Sequence, residues 1–102
     1  MKAYGYKRNE KGIMEIENEH GAFQKFVKGN IEIMSLTEDL RLVCKKDSLS
    51  DNEGMEIKAV WIDNDEVVDI ICGNCFVCRY AENNFSDIRD SDIPVINKLL
   101  KS

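Results

Sequence analysis

The sequence predicts an α+β domain built on a mainly antiparallel, strongly twisted sheet of five to seven strands that carries two helices. Three observations predict it. Met14-Glu15-Ile16-Glu17 alternates apolar and acidic side chains, the period-two signature of a strand with one wet face. Ile57 to Ile62 and Val67 to Cys72 are β-branched runs separated by the turn residues Asp63-Asn64-Asp65-Glu66. Over residues 19–28 and 91–101 the apolar residues instead recur every three or four positions, as on one face of a helix.

In chain order, Lys2 to Lys7 reads as a strand, Asn9-Glu10-Lys11-Gly12 as a turn and Ile13 to Glu17 as the return strand, so residues 2–17 form a hairpin. Asn18 can cap the first helix, residues 19–28, which buries Phe23, Phe26 and Val27 and ends at Gly29, where glycine suits a left-handed cap. Asn30 to Leu36 carries apolar residues on both faces and reads as a central strand, followed by a strand from Leu40 to Lys45. Lys46 to Gly54 is polar and forms the longest loop. After the strands at 57–62 and 67–72, Gly73-Asn74 makes residues 67–80 one tight hairpin or one strand with a glycine bulge. Phe85 to Ile88 can add a short edge strand. Ser91 is the N-cap of a last helix that tolerates Pro94 in its first turn, runs to the end of the chain and lays Ile93, Ile96, Leu99 and Leu100 on the sheet. No repeat or linker divides residues 1–102, which read as one domain.

A 102-residue chain can bury roughly two-thirds of its unfolded surface without disulfides. Its 19 acidic and 14 basic residues leave a net charge of -5, a field that repels phosphate backbones and disfavours nucleic acid as a partner. No apolar run reaches the roughly 18 residues of a membrane span, and no signal-peptide core follows Lys2. The expectation is a cytoplasmic protein without a membrane partner. In that compartment Cys44, Cys72, Cys75 and Cys78 stay reduced.

Catalysis finds no candidate. His20 has no partner at a fixed spacing, and the sequence contains no phosphate loop, dinucleotide fingerprint, nucleophile elbow or metalloprotease helix. No enzyme activity and no cofactor are expected. The four cysteines invite a structural zinc site, but Cys75 and Cys78 are an odd number of residues apart, so a regular strand puts them on opposite faces and core packing is the simpler role. Two binding surfaces remain. One is acidic, formed by Glu15, Glu17 and Glu19 with Asp47, Asp51 and Glu53 in the polar loop, and suits a basic protein partner. The other is a nucleotide-stacking set in which Tyr4, Trp61 or Tyr80 holds a base and Lys58 or Arg79 neutralises phosphate. Such a site fits best between subunits of a homo-oligomer, since so small a domain has little room to enclose a ligand.

The order of residues from Ile16-Glu17-Asn18 through Phe23-Gln24-Lys25-Phe26-Val27-Lys28-Gly29-Asn30-Ile31-Glu32-Ile33 resembles the opening of the domain-of-unknown-function family 3846. Val68-Asp69-Ile70-Ile71-Cys72-Gly73-Asn74-Cys75-Phe76-Val77 is similar to its later aspartate, aliphatic, glycine and aromatic strand motif, and the Ser91-Asp92-Ile93 helix follows in order. This chain has Ile57-Lys58-Ala59 where many members carry Asn-Arg before alanine, and its cysteine run lies outside the family pattern. The resemblance implies a setting in phages, plasmids and conjugative elements, where small proteins often inhibit host defences. The function expected is therefore a non-enzymatic protein-binding module, an inhibitor of a host defence system, with nucleotide sequestration and structural zinc binding as the alternatives.

Overall fold

A computed structural model describes residues 1–7, 10–46 and 57–101, and within these the side chains of Ile57 and Lys58 are left aside. The polar loop with Asp47, Asp51 and Glu53 lies outside the described residues. The fold is α+β, and the antiparallel strands separate into two sheets.

The larger sheet is six-stranded. It contains β1 (Lys2–Lys7), β2 (Glu10–Glu15), β3 (Ile31–Ser35), β4 (Leu40–Lys45), β7 (Cys75–Ala81) and β8 (Asn84–Ser86). Its order is β2-β1-β7-β4-β3, with β8 pairing the end of β7. The smaller sheet, ordered β6-β5-β9, contains β5 (Ile57–Asp63), β6 (Glu66–Cys72) and β9 (Leu100–Lys101). Helices α1 (His20–Val27) and α2 (Asp92–Leu99) complete the described elements.

The alternation of β7 explains the layering. Cys75 and Val77 face one side, into a core with Tyr4, Tyr6, Leu42, Cys44, Ala59, Ile71, Ile96 and Leu100, where the smaller sheet and α2 pack. Phe76 and Cys78 face the other, into a core with Ala3, Ile16, Phe23, Val27 and Val43 beneath α1. Burial of these apolar side chains is the main stabilising term, and β7, covered on both faces and paired at both edges, is the centre of the molecule.

Several expectations need correction. The strand at 31–35 is an edge strand with Ile33 45% exposed, because apolar residues on both faces do not ensure that both are covered. Residues 67–80 are not one hairpin: Gly73 (φ 78°) turns the chain out of the smaller sheet, so β6 and β7 lie in different sheets. Glu19 takes the N-cap position of α1, because the Asn18 amide is drawn away to donate to the Phe85 carbonyl at 2.9 Å. At the other end Lys28, not Gly29, adopts the left-handed conformation (φ 62°, ψ 47°). A Cβ at 29 would sit 2.9 Å from Lys45 Cε, a contact that the flexible lysine side chain relieves by moving, so glycine there eases the close approach without being required for it. Phe23 and Val27 are buried as expected of the first helix, whereas Phe26 is only partly covered. The last helix stops at Leu99, because Leu100 gains both burial and strand pairing opposite Trp61.

Candidate functional site

The β5–β6 hairpin carries the most unusual surface. Asn64 (φ 51°) and Asp65 (φ 64°) form a two-residue turn of the left-handed kind that matches the twist of paired strands. The return strand reads Glu-Val-Val-Asp-Ile-Ile-Cys, with aliphatic residues on both of its faces. Ile71 turns inward to join Ala59 and Trp61 in the core. Val67, Val68 and Ile70 stay 61%, 45% and 42% exposed. Register irregularities lie between Ile57 and Ala59 and between Trp61 and Ile62. The second breaks strict alternation where Val67 and Val68 fall.

Among the described residues, β6 pairs only with β5, so its other edge offers a row of backbone N–H and C=O groups. Asp63, Asp65 and Glu66 at the hairpin tip are exposed, and Asp69 is half-buried along the strand. On the far side of β5, a cleft of about 620 Å³ separates the hairpin tip from α2, lined by Ile62, Val95 and Leu99 together with Asp63, Asp65, Lys98 and Lys101. Apolar side chains, an open hydrogen-bonding edge and flanking carboxylates thus come together on one hairpin.

The residues singled out from sequence are distributed differently. Glu15, Glu17 and Glu19 are exposed, and Glu15 accepts a 2.6 Å bond from the Met1 amine, which holds that amine above its usual range. Tyr4 is buried with its hydroxyl 3.4 Å from Asn97 Oδ1, and Trp61 packs against the same core. Tyr80 lies on the opposite side of the larger sheet, edge-on to Phe85 at 5.0 Å and beneath the Arg41 guanidinium. Arg79 is engaged by Asp92 at 2.6 Å and Asp39 at 3.5 Å. The proposed stacking residues therefore do not converge on one pocket. His20 is exposed at the start of α1.

All four cysteines are fully buried. Cys44 and Cys75 belong to one core and Cys78 to the other, the opposite-face placement that strand alternation requires. Among the described residues no three His, Cys, Asp or Glu side chains stand together in a way that could hold a metal ion. Burial pushes the Cys78 thiol up from its ordinary 9.0 to about 12, with the Arg41 charge opposing the rise, which leaves it a poor nucleophile. No described helix is long and apolar enough to cross a membrane.

The family model described as Domain of unknown function (DUF3846) matches residues 1–101. The chain belongs to this family. No curated protein and no solved structure matches it. Membership carries no activity with it, so function has to be argued from the chemistry of the surface. The β6 surface is not evident in the sequence because Val67 to Cys72 reads only as a β-branched run, which does not tell a covered face from an uncovered one. The available signal was the excess of aliphatic residues over what one buried face can absorb.

Proposed function

We propose that this member of the family is a protein-binding module that engages its partner by strand addition at β6. The supporting observation is a β6 edge that no other described strand pairs, bearing Val67, Val68 and Ile70, a combination that soluble proteins usually cover, shorten or charge. Main-chain hydrogen bonds to an added strand supply affinity, and alternate side chains supply specificity. The carboxylates of Asp63, Asp65, Glu66 and Asp69 favour a strand that carries Lys or Arg beside its apolar residues, and they oppose a second copy of the chain, which would double the negative charge. An inhibitor of a host protein acts in this manner, by occupying a surface without chemistry.

Selection of random peptides on the immobilised chain tests the reading. The expected result is enrichment of extended basic–aliphatic sequences whose binding slows hydrogen exchange at the β6 amides and is lost in Val68→Lys/Ile70→Lys. Peptides that bind this variant equally well, or no enrichment at all, would exclude β6 as the docking strand.

A further inference from the structure

A second surface reverses the character of the chain. Tyr6 lies opposite Cys75 and Val43 opposite Phe76, so the registers of β1 and β4 bring Lys7 and Lys45 to either side of Asn74 at one end of the larger sheet. The C-terminal turn of α1 lies over this end and adds Lys25 and Lys28. Lys7, Lys25 and Lys28 line a cleft of about 320 Å³ together with Phe26 and Asn74. The Lys7 ammonium lies 5.5 Å from the centre of the Phe26 ring, and the Asn74 amide donates to the Phe26 carbonyl at 3.0 Å, which ties the helix end to the sheet. The one carboxylate in the lining, Glu15, is already matched by the Met1 amine. In a chain of net charge -5, three ammonium groups around one cleft concentrate positive potential where the average field is negative.

Lys28 supplies the second argument. It holds a left-handed backbone conformation that glycine accepts without strain, and Gly29 follows directly. Offsetting the negative end of the α1 dipole accounts for a lysine in the last turn, which Lys25 already provides. A cap alone would be better served by glycine at 28.

The geometry points to this cleft as a binding site for a small phosphorylated compound, no larger than a mononucleotide, with phosphate held by Lys7, Lys25 and Lys28 and an apolar portion against the Phe26 rim. Its volume is at the lower end of ligand pockets, which limits the ligand to that size. The site is separate from β6 and independent of the strand-addition reading.

Titration of the labelled chain with inorganic pyrophosphate, a nucleoside monophosphate and the unphosphorylated nucleoside, followed by amide chemical shifts, tests it. The two phosphorylated probes should shift Lys7, Lys25, Phe26, Lys28 and Asn74, and the nucleoside should not. Preference for the monophosphate over pyrophosphate assigns the Phe26 rim a part in binding; the reverse order removes the apolar portion from the proposal. Lys25→Glu/Lys28→Glu should weaken binding at least about tenfold, and added salt should weaken it in the unaltered chain. Lys28→Gly separates ligand binding from capping: it should raise the thermal midpoint and still weaken binding. No shifts at about 10 mM probe, shifts confined to other residues, or undiminished binding by the charge-reversed variant would overturn the proposal.

Discussion

Arg79 Nη1 lies 2.6 Å from Asp92 Oδ1, joining the end of the central strand to the first turn of α2. The other carboxylate oxygen accepts the Arg89 backbone N–H at 2.8 Å, so one buried side chain both caps the approach to the helix and meets the strand. Asp92→Ala removes both bonds and leaves their donors short of an acceptor, at a cost of about 1–3 kcal/mol. Urea unfolding checks this, and Asp92→Asn should recover part of the loss by keeping an acceptor for Arg89.

The two phenylalanines of α1 should separate in the same assay. Phe23 is buried between Phe76 and Phe85, at centroid distances of 5.1 and 5.4 Å, so Phe23→Ala should cost about 3–5 kcal/mol through the cavity it leaves. Phe26 keeps part of its ring in solvent, and Phe26→Ala should cost clearly less.

The hairpin turn leaves room for improvement. Asn64 and Asp65 both hold positive φ, and Asn-Gly is the pair best suited to that geometry. Asp65→Gly should stabilise the chain by about 0.5–1 kcal/mol and raise the thermal midpoint by a few degrees. A lower midpoint would mean that the Asp65 carboxylate contributes more than its backbone strain costs.

Alkaline pH should reveal the buried thiol. Cys78 ionises near its ordinary 9.0 in the unfolded chain but only at about 12 in the fold, so its contribution to stability is complete below pH 9 and is lost as pH rises through that interval. Tyr6, pushed upward chiefly by burial, adds a loss of the same sign above its ordinary 10.0. Each group gives a slope of up to about 1.4 kcal/mol per pH unit. Unfolding midpoints measured from about pH 8 to about pH 11 should fall, and Cys78→Ala should make the decline shallower.

The elements themselves were legible in the sequence wherever their cause was local. The β-branched run of β5, the Asp-Asn-Asp-Glu turn and the apolar spacing of α1 are written in neighbouring residues, whereas the alternation at Met14 to Glu17 only overlaps the end of β2 at Met14 and Glu15. What escaped depended on partners far along the chain. Asn18 looks like a cap until Phe85 claims its amide, and Leu100 continues a helix until Trp61 offers it a strand. Gly73 marks a break in any reading, but nothing beside it says that the two halves enter different sheets. The same applies to function. An acidic alternation is easy to see, whereas the β6 edge and the lysine cleft exist only once separate segments have met.

The central place of β7 also fixes when the fold can form. β1 is made first but pairs on its inner side with residues 75–77, and β4 pairs with residues 76–79. During synthesis the early hairpin and the β3–β4 pair must therefore wait, each with the edge that β7 will fill unpaired, until residues 75–79 have been made. Strand pairings across so many residues place such folds among the slower small domains, in the range of milliseconds to seconds. A nascent chain stalled before Cys75 would expose both waiting edges, which makes that interval the one in which a chaperone has most to protect.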